Sequence, residues 1–292
     1  GSGIAVTGSH NPPQHNGLKM MLAGETLYGE RIVGLYERIV SQALYSASQK
    51  GRITQINVLP DYLDAIQADV QLVRPMKVAI DCGNGVGGVA AMDVFTRLGC
   101  DVTPLFCEVD GTFPNHHPDP ADPHNLIDLQ KVLRDGDAEI GLAFDGDADR
   151  LGVVTKDGHI IYADRLMMLF AQDILGERRG AQVIFDAKCS AHLPPLIVAC
   201  GGRPVMWKTG HSLMKAKLRE LGSDAVFAGE MSGHFYFNDR WAGFDDGLYA
   251  GARLLEILSR CASAEQGVAM GADLNAVLNG LPQGISTPEI NL

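Results

Sequence analysis

The strongest chemical demand in this sequence comes from Asp145-Gly146-Asp147-Ala148-Asp149-Arg150, which directly succeeds an apolar stretch, residues 139–144. Three carboxylates crowded at a strand end repel one another unless a cation joins them. The small residues between them let the chain curl round one hard ion, and an all-oxygen ligand set suits Mg²⁺ better than zinc or copper. A calcium-binding EF-hand shares the spacing of the three aspartates but differs at its later positions. Arg150 stands where that loop needs glycine, and Lys156 where it needs a bidentate glutamate. Mg²⁺ keeps positions open for phosphate oxygens, and Arg150 could grip the same phosphate with its guanidinium fork. A merely solvated acidic turn is the weaker reading.

Two further loops carry reactive groups. Thr7-Gly8-Ser9-His10-Asn11-Pro12-Pro13 comes after a short apolar strand, residues 3–7. Gly8 leaves room for close approach, and Asn11-Pro12-Pro13 makes a stiff turn that would fix the Ser9 hydroxyl in one orientation; alone, the stretch reads slightly better as only a tight turn. Lys19 could supply positive charge or a proton-transfer group, although a lone lysine is more often only solvated. Gly229-Glu230-Met231-Ser232-Gly233-His234 offers an acceptor, a donor and a titratable ring, a set suited to vicinal sugar hydroxyls, with His234 able to exchange a proton. Such a loop is as often structural. Gly83-Asn84-Gly85-Val86-Gly87-Gly88 imitates a dinucleotide fingerprint, but no acidic residue closes the next strand, so a tight helix entry is expected. His116-His117 lacks zinc-site spacing and reads as part of a polar interdomain loop.

These loops must be held by strands and helices. Strands are expected at 77–80, 102–106, 139–144, 182–185, 204–207 and 225–228, with a further apolar stretch at 18–23. Helices are expected at 29–44, 60–68, 89–98, 126–133, 211–221 and 245–258. The strand–helix–strand order from residue 75 implies a mostly parallel sheet, and the layout recurs from residue 182, where Asp186 ends a strand as Asp81 does. The fold class is therefore α/β, with tandem similar α/β domains and mixed, mostly parallel sheets. Three units are expected: 1–70, 71–172 and 173–292. The opening Gly-Ser-Gly reads as a linker scar running straight into a buried strand, and the chain stops soon after Thr287-Pro288, so a fragment is expected.

With 292 residues, 46% of them hydrophobic, the chain can bury a sizeable core. Its formal charge of -11 disfavours a nucleic-acid partner. No stretch has the roughly 20 apolar residues of a membrane helix. Six scattered cysteines without a C-x-x-C pair suit free thiols. The chain reads as soluble and cytoplasmic, and no protein partner is expected.

Taken together, T-G-S-H-N-P, D-G-D-A-D-R and G-E-M-S-G-H, in that order, resemble the α-D-phosphohexomutase superfamily, most closely its bacterial phosphomannomutase/phosphoglucomutase branch. Asp81-Cys82-Gly83-Asn84-Gly85, Phe113 to Pro118 and Lys208-Thr209-Gly210-His211-Ser212 are similar too. The resemblance implies an enzyme that interconverts hexose 1-phosphate and hexose 6-phosphate (mannose, glucose or both) through phospho-Ser9 and a hexose 1,6-bisphosphate. In it, Ser9, Asp145, Asp147 and Asp149 hold Mg²⁺, and Glu230 and Ser232 bind sugar hydroxyls. Lys19 and His234 match positions implicated in proton transfer, and His10, Arg150, Lys188 and His211 match positions lining the cleft. Most of the family's first domain, with a substrate-contacting arginine, and its fourth, with a phosphate-clamping loop, have no counterpart here. The isolated chain is therefore expected to hold Mg²⁺ but turn over poorly. Two rival readings are a sugar phosphatase with Asp145 as nucleophile and a non-catalytic fragment that binds Mg²⁺ or sugar phosphate.

Overall fold

The computed structural model describes residues 1–261, 277, 281 and 282; the remainder of the expected third unit lies outside the described residues. The chain opens with an antiparallel meander of β1 (Gly3–Val6), β2 (Leu18–Leu22) and β3 (Glu25–Thr26), in which Ala5 stands opposite Lys19. The expected burial of β1 is not found. All four residues are exposed, Ile4 and Val6 among them, because nothing among the described residues packs over that strand. Helix α1 (Glu30–Val40) has an apolar stripe yet buries no residue. Helix α2 (Leu59–Asp69) starts with Pro60 in its first turn and buries Leu63 and Ile66.

Two α/β layers make up the rest. The first comprises β4 (Lys77–Asp81), α3 (Ala91–Arg97), β5 (Asp101–Leu105), α4 (Ile127–Asp135), β6 (Ile140–Phe144), β7 (Leu151–Thr155) and β8 (Ile160–Ile161). Its sheet runs β5-β4-β6-β7-β8, parallel through β6 and antiparallel beyond. The second comprises α5 (Ala163–Glu177), β9 (Gln182–Asp186), α6 (Leu193–Ala199), β10 (Arg203–Trp207), α7 (His211–Leu221), β11 (Ala225–Gly229), β12 (Phe235–Phe237) and α8 (Gly247–Cys261). Its sheet runs β10-β9-β11-β12, with only the last pair antiparallel. The repetition expected from sequence is thus a repeated strand order. Strand β6 is buried at every residue, as a strand covered by helices on both faces must be.

Packing runs across both expected unit boundaries. Helix α2, which the division at 70–71 assigns to the first unit, packs on α3, and its Tyr62 hydroxyl donates to Asp246 Oδ1 at 3.0 Å. The division at 172–173 cuts through α5, whose Phe170 ring lies 5.8, 5.3 and 5.0 Å from those of Phe227, Phe235 and Phe237. Helix α5 therefore belongs with the second sheet. Helix α8 packs on α3, β6, β7 and β12, so both layers share one continuous core. No described helix is long and apolar enough to cross a membrane.

The two sequence decoys resolve differently. The glycine run does form a tight helix entry, and the Val86 amide donates to Gly146 O at 3.0 Å, bracing the acidic loop. His116 is not in a merely polar loop. Its Nε2 lies 3.1 Å from both carboxylate oxygens of Asp81, which anchors the loop at the end of β4 and, against the effect of burial, raises the ring's pKa.

Candidate phosphoryl-transfer site

In an open α/β sheet, ligands gather beyond the carboxyl ends of the strands, where the strand order reverses. Each sheet here has that point between its first strand and the third: β4 and β6, then β9 and β11. Asp145 comes directly after β6 and Glu230 directly after β11, so the same topology presents the acidic loop and the sugar-type loop. The two are stitched together by an antiparallel bridge between Arg150 and His234, with the Leu151 amide donating to Gly233 O at 3.0 Å. Gly233 has a φ of +94°, and a Cβ there would meet Leu151 O at 3.0 Å.

The serine loop lies against the acidic loop. Ser9 Oγ donates to Asp145 Oδ2 at 3.2 Å and stands 3.1 Å from His10 Nδ1. Thr7 steadies this arrangement, its Oγ1 accepting from the Ser9 amide at 2.8 Å and donating to Asp147 Oδ2 at 2.9 Å. Ser9 itself has a φ of 52°, a left-handed conformation that costs a non-glycine residue on the order of 1 kcal/mol and marks a constrained position. Such close approach needs Gly146, where a Cβ would lie 2.0 Å from Ser9 O.

Asp145, Asp147 and Asp149 each offer an oxygen, and the three oxygens lie within 4.8 Å of one another. Lys19 reaches across from β2, its Nζ 2.7 Å from Asp147 Oδ2 and 2.6 Å from Asp149 Oδ2. Asp145 is fully buried. Burial first, then the charges of Asp149 and Asp147, push its pKa well above the ordinary carboxylate value. Asp147 Oδ1 is buried with no hydrogen-bond partner among the described residues, and Asp149 Oδ1 has only the His234 ring, 3.2 Å away, outside hydrogen-bond geometry. An all-oxygen set with an orphaned buried oxygen and a carboxyl reluctant to ionise fits a hard divalent cation.

The neighbouring charges are tuned by the same crowding. Burial works against ionisation of Asp149, but His234 and Lys19 outweigh it and hold its pKa below the usual range. Burial opposes the charge on Lys19, but Asp149 and Asp147 prevail, so Lys19 is a firm cation here. Burial and then Arg150 lower the pKa of His10, leaving a neutral ring beside Ser9 at pH 7. The Arg150 amide donates to Asp145 Oδ1 at 3.1 Å, while its guanidinium lies 3.7 Å from Asp145 and from Asp119.

In the second loop Glu230 is buried and held from two sides, accepting from the Gly210 amide at 2.6 Å and from the Tyr236 hydroxyl at 2.7 Å. Ser232 Oγ lies 2.8 Å from His234 Nδ1, which turns the other ring nitrogen of His234 toward Asp149. His211 opens α7 with its ring stacked against that of His234 at 6.1 Å, and burial first, then Lys215, lower its pKa to about 4. Lys188 lies exposed in the turn after β9, at the carboxyl end of the second sheet. The structure therefore gathers Ser9, His10, Lys19, the three aspartates, Arg150 and His234, with Glu230, Ser232 and His211 around His234.

Four participants escaped the sequence reading. Thr7 lies inside the serine motif, and Asp119 in the proline-rich loop. Tyr236 stands six residues after Glu230, in β12. Asp245, 3.8 Å from His211, had no signal beyond its place before α8.

Comparison with known proteins adds a family. Residues 60–158 match the model for phosphoglucomutase/phosphomannomutase alpha/beta/alpha domain II, and residues 162–279 match that for domain III. The phosphoglucomutase of Neisseria meningitidis serogroup A is 56% identical over 292 residues, covering 100% of this chain and 61% of that protein. The phosphomannomutase/phosphoglucomutase of Pseudomonas aeruginosa is 55% identical over 291 residues, covering 100% and 60%. A crystal structure of a phosphoglucomutase/phosphomannomutase family protein from Burkholderia thailandensis superposes with a TM-score of 0.91 at 56% identity, covering 98% of this chain and 60% of the other. The chain thus spans about three fifths of the length of these relatives. Two matched domains in succession, and identity above one half along the whole chain, make it a member of the phosphoglucomutase/phosphomannomutase family.

Proposed function

We propose that this chain is the central part of a phosphohexomutase that interconverts hexose 1-phosphate and hexose 6-phosphate through phospho-Ser9 and a hexose 1,6-bisphosphate. The observation that carries the reading is Ser9 Oγ at 3.2 Å from Asp145 Oδ2, a hydroxyl nucleophile set on a buried acidic trio. Asp145, Asp147 and Asp149 would hold Mg²⁺, which when bound neutralises charge on the transferring phosphoryl group. His10, neutral and 3.1 Å from Ser9 Oγ, is placed to take the hydroxyl proton as Oγ forms its bond to phosphorus, the bond from phosphorus to the sugar oxygen breaks, and the sugar oxygen leaves as a hydroxyl with a proton from His234. In the other direction the sugar hydroxyl attacks the phosphorus, its proton passes to His234, and the Ser9 oxygen leaves with a proton returned by His10. Lys19 and Arg150 add fixed positive charge, which is most of what phosphoryl transfer asks of a protein. Glu230 and Ser232 accept and donate to vicinal sugar hydroxyls, and His211 and Lys188 line the cleft. A structural neighbour in the wider superfamily, an Aspergillus fumigatus N-acetylphosphoglucosamine mutase variant, was solved with glucose 1,6-bisphosphate; at 14% identity it supports the fold.

The phosphatase reading requires Asp145 to attack phosphorus. That carboxyl is 0% exposed and already receives Ser9 Oγ and the Arg150 amide, which argues against it. Incubation with hexose 1,6-bisphosphate should add one phosphoryl group to Ser9, and Ser9→Ala should abolish this. A base-labile, hydroxylamine-sensitive acyl phosphate at Asp145, persisting in Ser9→Ala, would establish the phosphatase reading instead.

A further inference from the structure

Beside the acidic trio lies a second group of candidate ligands with different chemistry. Asp149, His234 and Asp245 each offer one ligand atom, and these lie within 4.8 Å of one another. Each carboxylate is already gripped by a lysine, but through one oxygen only. Lys19 binds Asp149 through Oδ2 at 2.6 Å, and Lys215 binds Asp245 through Oδ1 at 2.8 Å. The opposite oxygens, Asp149 Oδ1 and Asp245 Oδ2, are buried and have no hydrogen-bond partner among the described residues. Asp245 is the more telling of the two, since its side chain is only 7% exposed.

Two imidazoles face these oxygens. His234, 8% exposed, is oriented by Ser232 Oγ on Nδ1 at 2.8 Å, leaving Nε2 3.2 Å from Asp149 Oδ1. A ring nitrogen fixed by an outer partner while the other faces carboxylates is the usual arrangement of a metal-binding histidine. His211 Nδ1, 3.8 Å from Asp245 Oδ2, is also buried and without a hydrogen-bond partner among the described residues. We propose that Asp149, His234 and Asp245, with His211 as a fourth ligand, form a second divalent-cation site that prefers an ion accepting both nitrogen and oxygen. Two nitrogens and two oxygens suit Zn²⁺ or Co²⁺, whereas Mg²⁺ takes oxygen and is left to the trio. The site stands on Asp149, His234 and Asp245, with His211 beside Asp245, and does not require the mutase reading, although it shares Asp149 with the trio and takes the His234 ring that the mutase reading uses for proton transfer.

The probe is Zn²⁺, added to the chain with Mg²⁺ in excess. Diffraction at the zinc edge should place an anomalous peak among Asp149, His234 and Asp245. Titration calorimetry should show one zinc site, weakened at least tenfold in Asp245→Asn. Asp245 takes no part in the trio, so Mg²⁺ affinity should be unchanged in that variant. Asp147→Asn should do the reverse, weakening Mg²⁺ and sparing Zn²⁺. Should Asp245→Asn fold poorly, the anomalous map of the unaltered chain decides alone. Zinc found only on Asp145, Asp147 and Asp149, no ordered zinc at all, or unchanged zinc affinity in folded Asp245→Asn would each overturn the proposal.

Discussion

Gly146→Ala tests how tightly the serine loop must sit on the acidic loop. The added methyl would lie 2.0 Å from Ser9 O and 3.4 Å from Pro118 Cγ. The Ser9 carbonyl would have to retreat by more than an ångström to restore ordinary contact, since backbone cannot rotate aside like a flexible side chain. Ser9 Oγ, already 3.2 Å from Asp145, would leave hydrogen-bond range. A misplacement of that size costs a positioned reaction about 100-fold, or about 2.7 kcal/mol of transition-state stabilisation. The core should barely notice, because the change lies in a loop beyond β6, so stability should fall by no more than about 1–2 kcal/mol. The assay is the initial rate of Ser9 phosphorylation from hexose 1,6-bisphosphate, followed by intact mass and paired with urea unfolding. A rate within twofold of the parent chain would refute the reasoning, as would a fall in rate explained entirely by unfolding.

The packing yields three other predictions. Asp246 is buried, and that burial raises its pKa to about 6 against contrary hydrogen bonds from the Tyr249 amide and Tyr62. Its ionisation therefore penalises the folded state above pH 6, and the penalty fades as pH falls from 6 toward 4. Asp246→Asn should remove up to about 3 kcal/mol of this pH dependence, read from urea midpoints at pH 7 and pH 4.5; equal pH slopes in parent and variant would contradict it. Phe170→Ala should cost about 3–5 kcal/mol in the same assay, because its ring fills the space among Phe227, Phe235 and Phe237. Gly233→Ala, strained at a φ of +94° and crowded against Leu151 O, should destabilise by about 1–3 kcal/mol and disturb the bridge to Arg150, visible as faster amide exchange at Leu151; unchanged exchange there would contradict it.

The candidate loops were legible because each is contiguous. Each reactive group sits within a few residues of an apolar strand end, so residue type and position announce it together. What brings the loops together was not legible. The Arg150–His234 bridge joins residues far apart in sequence, and Asp245 faces His211 across a distance no spacing rule covers. Helix α5 escaped because it is buried nearly all round; with apolar residues on every face it shows no 3.6-residue stripe. Strand β1 misled in the opposite direction, since an apolar run is read as buried whether or not a layer covers it. His116 read only as part of a polar loop because its partner, Asp81, ends a strand 35 residues earlier.

The most direct test is diffraction from the chain phosphorylated with hexose 1,6-bisphosphate and soaked in Mn²⁺, a visible substitute for Mg²⁺. One anomalous peak should touch an oxygen each from Asp145, Asp147 and Asp149 and a phosphate oxygen carried on Ser9. A phosphate on any other residue, or a cation at the trio with the Ser9 ester turned away from it, would contradict the account.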